Sequence, residues 1–142
     1  MPSPIKASIT LRNDHAELAR LEDFAGAFAR SCGLSTDEQA RLCVILEELF
    51  TNAVEYGYGP GSSTGSVTVR LRWRDGRIEI AFIDDGQPFD PLARSGPDLE
   101  VAAEDRQIGG LGVHIVRSLV DRARYRRTGG RNHLYLVRRI PS

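Results

Sequence analysis

A predicted hairpin over residues 66–84, whose first strand alternates strictly between apolar and polar residues, constrains the fold of this chain most strongly. Four apolar side chains fall on one face of the first predicted strand, SVTVRLRW: Val67, Val69, Leu71 and Trp73. Asp75-Gly76 follows, a dipeptide preferred in two-residue type I′ hairpin turns. This turn would place Arg72 opposite Glu79 on the returning strand, RIEIAFID. The segment therefore predicts an antiparallel hairpin.

A strand and a helix are predicted at the start of the chain. Residues 5–12 alternate and predict a first strand. Asn13 or Asp14 can cap a helix over residues 14–31, which Gly33 is expected to end.

The second predicted helix carries a pair of polar residues suited to chemistry. Ser35 and Glu38 have capping-box spacing, which predicts a helix from there to about Tyr56. On this helix Glu48 and Asn52 are four residues apart and share a flank of the apolar stripe. A carboxylate can accept a proton, and an amide oxygen is a ligand suited to Mg²⁺. The pair is consistent with the wall of a cleft, or alternatively with a solvated helix flank.

The hairpin ends in a second polar feature, DDGQPFDP. Asp84 leaves the end of a buried strand, and Gly86 allows the backbone to turn sharply. A buried aspartate needs a partner, and a ligand amino group would serve. The alternative reading is a simple turn.

The remaining segments predict the rest of an α+β domain. The glycine-rich stretch 57–65 indicates a linker, and residues 92–108 a long loop or lid with a short helix near 98–104. Residues 109–121 begin with glycines and become a helix, whose first amides can form an anion site or simply allow close packing. Residues 123–140 predict a final hairpin around TGGRN. The order β-α-α-β-β-α-β-β predicts a two-layer sandwich, with helices on one face of a mostly antiparallel sheet.

Composition points to one domain over residues 1–142 in the cytoplasm. Lys and Arg total 19, as do Asp and Glu, so no net basic field favours direct nucleic-acid or membrane binding. We read the basic cluster RARYRR, residues 122–127, as a solvated strand. The chain has neither an apolar run of transmembrane length nor a signal peptide. Cys32 and Cys43 lack CxxC spacing and are expected to be reduced thiols.

Taken together, four motifs in order resemble the ATP-binding domain of GHKL ATPases, a Bergerat-type fold. The motifs are ELFTNAVEY, IDDGQPFDP, GGLGVHIV and GGRNHLYL. The form E-x-x-x-N-A-x-x-Y is similar to that of the anti-sigma factor serine kinases of bacterial partner-switching systems.

The resemblance implies roles for matching residues. Glu48 matches the general base that takes a proton from the acceptor hydroxyl. Asn52 matches the residue that binds the nucleotide through Mg²⁺. Asp84 matches the aspartate that accepts a hydrogen bond from the adenine amino group, and Gly86 makes room for the ring.

The later motifs match more loosely. The second glycine box would bring its backbone to the phosphates through Gly109, Gly110, Leu111 and Gly112. Gly130 and Asn132 match a weaker motif near the adenine. Family members often have an arginine just before the second glycine box, where this chain has Gln107 and Ile108. Arg106 lies slightly upstream and could reach the γ-phosphate if the lid folds inward.

The function that this resemblance implies is that of a serine-protein kinase and anti-sigma regulator using ATP and Mg²⁺. Its substrate would be a serine of a STAS-domain antagonist, and its target a sigma factor or an equivalent protein. The family commonly pairs, so a homodimer through the N-terminal strand is expected. Two alternatives stay open: a nucleotide-gated binding module without phosphotransfer, and a switch kinase that activates a phosphatase.

Overall fold

A five-stranded antiparallel sheet with helices packed on one face forms the domain in the computed structural model, which describes residues 3–57, 65–93 and 108–141. The elements in chain order are β1 (Ile5–Arg12), α1 (Leu18–Ser31), α2 (Thr36–Tyr56), β2 (Ser66–Arg74), β3 (Arg77–Asp84), α3 (Ile108–Leu119), β4 (Arg122–Thr128) and β5 (Arg131–Arg139). The strands lie in the order β1-β2-β3-β5-β4. The predicted α+β sandwich and element order are confirmed.

The β2–β3 hairpin has the predicted register. Arg72 pairs with Glu79 across the ladder. Asp75 and Gly76 have φ angles of 52° and 73°, as a type I′ turn requires. The apolar face of β2 packs in the core with α1 and α2, while Trp73 at its end is only partly buried. The register follows from the alternation, because a slip by one residue would expose every buried side chain.

The N-terminal caps differ from the prediction in detail. Asp14 accepts a hydrogen bond from the amide of Ala16, but a 3-10 turn comes first and α1 begins only at Leu18. Gly33 ends α1 with a φ of 70°. These findings confirm the predicted helix and place its regular start four residues later.

The predicted capping box is half formed. The hydroxyl of Ser35 accepts a hydrogen bond from the amide of Glu38 at 3.2 Å. The Glu38 carboxylate instead accepts two bonds from Arg138 on β5, at 2.9 and 3.0 Å, and one from Arg41. The reciprocal bond was therefore predicted wrongly, because a buried guanidinium from the sheet outcompetes a local backbone amide.

The third helix is shorter than predicted at its C-terminal end. It ends at Leu119 because Asp121 is already bonded to β5: its amide donates to Val137, and its carboxylate accepts from the amide of Arg139. No helix in the described ranges combines the length and apolar character that a membrane span needs. The predicted short helix near 98–104 and most of the 57–65 linker lie outside the described residues.

The two faces of the sheet differ sharply in charge. The outer face, turned away from the helices, holds more than half of the chain's 19 Lys and Arg residues: Lys6, Arg12, Arg70, Arg72, Arg74, Arg77, Arg122, Arg124, Arg126, Arg131 and Arg139. Among the strand positions that the structure describes, Glu79 is the single outward acid. The α2 helix bears the opposite charge, with carboxylates at Asp37, Glu38, Glu47, Glu48 and Glu55.

Glu79 ties three strands together at the centre of the outer face. Its carboxylate accepts bonds from Arg72 at 2.8 and 3.0 Å and from the Tyr135 hydroxyl at 2.7 Å. The Arg72 hydrogen bonds, aided by that of Tyr135, lower the pKa of Glu79 from 4.5 to about 2.

We predict that Glu79→Gln is less stable than the parent at pH 7, by about 2 kcal/mol, and that the gap narrows as the pH falls from 4.5 toward 2. The native pKa lies below the unfolded one, so the stabilisation is present above pH 4.5 and is lost on protonation. Urea unfolding across this pH range measures the gap. As a control, Asp23→Asn removes an exposed carboxylate of α1 and should change stability little. A gap independent of pH would contradict the electrostatic origin.

Candidate functional site

The turn that follows β3 docks directly on the C-terminal end of α2. The amide of Gln87 donates to the carbonyl of Gly57 at 2.6 Å, and its side-chain amide donates to the carbonyl of Tyr56 at 2.9 Å. The last carbonyls of a helix have no partner within it, so these bonds satisfy groups that would otherwise need water. The contact brings the end of β3 beside the helix that carries Glu48 and Asn52.

Gly86 is required at this contact by space. A Cβ atom at this position would lie 2.1 Å from the carbonyl oxygen of Gly57. The backbone carbonyl of Gly86 in turn accepts a hydrogen bond from Arg127 of β4 at 2.7 Å. The turn is thus fixed from both sides, between α2 and the sheet.

Asp84 lies at the end of β3 with 8% of its surface exposed. One carboxylate oxygen, Oδ1, accepts hydrogen bonds from the amide of Gly86 and from the side chain of Asn132, each at 2.9 Å. Burial raises the pKa of Asp84 above its ordinary value of 3.8, and these two bonds oppose the rise. Within the described residues both bonds go to the same oxygen, and Oδ2 accepts none.

Asn132 bonds to Asp84 and is itself held in place by three further hydrogen bonds of its side chain. Its amide nitrogen donates to Asp84 and to the carbonyl of Gln87 at 2.8 Å. Its oxygen accepts from the amide of Phe89 at 3.2 Å and from the hydroxyl of Tyr125. An asparagine side chain has two donor hydrogens and two acceptor lone pairs, so this one is fully occupied. Asn132 therefore acts on the site as a positioning residue.

Asn52 faces the same region from α2. It is 4% exposed, and its side-chain nitrogen is buried without a hydrogen-bond partner in the described structure. A buried polar group without a partner is costly, and such groups often await a ligand, ion or water. A carboxamide carries both a donor nitrogen and an acceptor oxygen, so the side chain of Asn52 can donate to one ligand group or accept from another.

Glu48 lies one helical turn before Asn52 and is partly exposed. Its neighbour Glu47 points to another side of α2, where burial, followed by the charges of Glu22 and Glu48, raises the pKa of Glu47. Only Glu48 has the spacing that places it above Asn52 on the same flank.

Asn52, Asp84 and Asn132 meet at a small cavity between α2, the end of β3 and the strands β4 and β5, whereas Glu48 is not among the residues that line it. Its lining residues are Leu49, Asn52, Ala53, Phe82, Asp84, Phe89, Pro91, Tyr125, Asn132 and Leu134. The free volume is about 20 Å³, which is room for about one water molecule. Phe89, one of the lining residues, stacks on Tyr56, with ring centroids 5.7 Å apart.

The glycines among the other predicted site residues lie in a helix and in a turn. Gly109, Gly110, Leu111 and Gly112 form the N-terminal part of α3, which packs against α2. Gly130 lies in the β4–β5 turn with a φ of 73° and nothing within 4 Å of a Cβ, so turn geometry alone accounts for the glycine. Arg106 lies outside the described residues.

Sequence reasoning missed the groups that hold the site in place. Tyr125, Arg127 and Gln87 each bond to Asn132 or to the turn around Gly86. The inward direction of Tyr125 and Arg127 follows from the alternation of β4, so that signal was available. Their partners lie on other elements, and no local pattern identifies them.

The sequence of this chain matches a known protein family. Residues 11–138 match the family described as histidine kinase-like ATPase domain. The chain belongs to that family. The predicted resemblance to GHKL ATPase domains is thereby confirmed.

Several curated members of this ATPase family are similar to the chain. Serine-protein kinase RsbW of Bacillus licheniformis is 33% identical over 66% of this chain and 60% of its own length. RsbW of Listeria monocytogenes is 28% identical over 85% of this chain and 78% of its own length. Serine/threonine-protein kinase BtrW of Bordetella bronchiseptica is 28% identical over 68% of this chain and 67% of its own length. The chain thus spans between 60% and 78% of these relatives.

A solved structure shares the fold. The crystal structure of the RsbU and RsbW domains of a Mycobacterium tuberculosis protein matches 95% of this chain with a TM-score of 0.67. The match covers 32% of that longer chain at 21% identity, so it shows a shared fold and no more.

We predict that Gly86→Ala destabilises this ATPase domain by roughly 1–3 kcal/mol, because the added methyl group meets the Gly57 carbonyl and must push the turn away from α2. Urea unfolding measures the effect. Gly26→Ala is the matched control: its added methyl would meet only the movable ends of Arg30 and Gln39, and alanine favours the helix. Equal stability of Gly86→Ala and the parent would contradict the tight docking.

Proposed function

We propose that this domain binds ATP with Mg²⁺ and transfers the γ-phosphate to a serine of a protein partner. The observation that carries the proposal is that Asp84 and Asn52 line one cavity, each with a side-chain polar atom that has no hydrogen-bond partner among the described residues.

The adenine end is assigned to Asp84. With Oδ1 held by Gly86 and Asn132, Oδ2 is the acceptor for the adenine amino group. A drug-sized or nucleotide ligand needs a pocket of roughly 300 Å³ or more. The present cavity is far smaller, so binding moves Phe89 and Pro91 outward and exchanges the Phe89–Tyr56 stack for contacts with the base.

The metal and phosphate end is assigned to Asn52 and the start of α3. The amide oxygen of Asn52 is the type of ligand that Mg²⁺ takes, and the ion usually completes its shell with phosphate oxygens and water. Within the described residues no cluster of three carboxylate, histidine or cysteine ligands could hold a metal, and this mode of binding needs none. When bound, Mg²⁺ neutralises charge on the phosphates. The amides of Gly109 and Gly110 lie in the first turn of α3, where the helix itself offers them no acceptor, and they suit anionic oxygens; Leu111 and Gly112 follow directly in the helix.

Glu48 is assigned the role of general base. The serine hydroxyl gives its proton to the Glu48 carboxylate as the serine oxygen attacks the γ-phosphorus. The bond between the γ-phosphorus and the β,γ-bridging oxygen breaks, and ADP leaves. Positioning and charge neutralisation supply most of the catalysis in such transfers. Arg106 could add a positive charge at the γ-phosphate.

For partners we propose a STAS-domain antagonist as the substrate and a sigma factor or an equivalent protein as the sequestered target. The support is the similarity to proteins named serine-protein kinases. For pairing of two copies we propose the outer edge of β1, which no strand covers in the described structure. A single domain working in the cytoplasm fits this role.

We predict that Glu48→Gln lowers phosphate transfer by roughly 10²–10⁴-fold while ATP affinity changes little, because general-base catalysis contributes about that much.

Asp84→Asn should instead weaken ATP binding by about 10-fold or more, since a charged hydrogen-bond acceptor is lost. Labelled ATP with Mg²⁺ and a STAS-domain protein measures transfer, and calorimetry measures ATP affinity.

Glu47→Gln is the matched control, because it changes a neighbouring carboxylate on another side of α2 and should keep both transfer and binding. Binding of ATP without any transfer would favour the nucleotide-gated module over the kinase. Unchanged transfer in Glu48→Gln would reject Glu48 as the base.

A further inference from the structure

We propose that the outer face of the sheet is a docking surface for an acidic protein. Charge, shape and side-chain order on that face support this proposal. The groove on this face shares no lining residue with the cavity of Asp84 and Asn52 on the other side of the sheet.

Most of the positive charge on the outer face is uncompensated. Ion pairs in the described part of the chain involve only Arg12, Arg72 and Arg74 among the cations of this face. Arg70 and Arg124 are exposed and have no carboxylate within ion-pairing distance among the described residues. Arginine presents a planar fork of donors that matches a carboxylate with two hydrogen bonds. The face is therefore suited to Asp and Glu side chains of a partner.

The centre of the face is a groove with apolar walls. Its volume is about 460 Å³, and small Ala81 lies between Arg70 and Tyr135 in the strand register. Tyr135 is 40% exposed, and its hydroxyl is held by Glu79. A pre-oriented tyrosine beside an apolar depression, with arginines around it, has the composition of a protein–protein interface: an apolar centre with an aromatic anchor, inside a charged rim.

Two other occupants fit less well. A second copy docked face to face would place arginines against arginines, which costs several kcal/mol. A nucleic-acid strand would find Tyr135 as the single exposed large aromatic side chain among the described residues of the face. Platforms for single strands stack several bases on several aromatic rings.

The test uses the whole chain and a labelled short peptide with Leu and Phe at its centre and Asp and Glu on both sides. Fluorescence anisotropy at about 0.15 M ionic strength measures affinity, which should fall as salt is raised. Arg124→Glu should weaken binding about fivefold, and Tyr135→Ala about tenfold. Arg30→Glu is the matched control: the same charge change at an exposed site on α1 should have little effect. A peptide with serine in place of Leu and Phe should bind less tightly.

Three results would overturn the proposal. Equal losses for Arg124→Glu and Arg30→Glu would show that only overall charge matters. A single-stranded oligonucleotide that binds more tightly than the peptide, and loses affinity in Arg124→Glu, would make the face a nucleic-acid surface. A dimer in sedimentation that Arg124→Glu dissociates would make the occupant a second copy.

Discussion

The contact between the turn after β3 and the end of α2 is the constraint on which the site depends. Gly57 and Gln87 meet backbone to backbone at 2.6 Å, and Gly86 leaves no side chain to separate them. Asp84 comes from the sheet and Asn52 from the helix layer, so neither layer alone could form the cavity. A displacement of this turn would move the carboxylate relative to the amide, and distances within a binding site tolerate little change.

The same contact explains how an aspartate can be buried. Removal of Asp84 from water favours its neutral form, whereas the bonds from Gly86 and Asn132 favour the charged form. Because Asn132 is itself held by Tyr125 and Phe89, the carboxylate has one orientation. A ligand donor that meets Oδ2 would complete the hydrogen bonding of the carboxylate without rotating it, although the ring of Phe89 must move aside to admit the ligand. The orientation of the Asp84 carboxylate is thus fixed before binding, which reduces the conformational entropy lost when the ligand binds.

The sequence predicted the elements well because their signals are local. The alternation of β2, the Asp75-Gly76 turn and the glycine after α1 all act within a few residues, and the structure confirms each one. The capping box failed in part because Arg138, 100 residues away from Glu38, claims that carboxylate. The network around Asn132 was missed for the same reason, since its four bonds reach three other segments of the chain. Local patterns therefore predict where a site residue lies, while the groups that orient it depend on tertiary contacts.

Net charge was the least informative property of the sequence, for a physical reason. The alternation that buries Val69 and Leu71 on one side of β2 also places Arg70 and Arg72 on the other, so the sheet sorts the charges that composition had averaged to zero. Layers in a sandwich are about 10 Å apart, so the carboxylates of α2 are at least that much farther from a partner at the outer face than the arginines are. Because electrostatic attraction falls with distance, the arginines dominate the charge that such a partner meets on contact. A chain with no net charge can in this way present a strongly basic surface. Zero net charge therefore argues only against long-range attraction of an anionic partner.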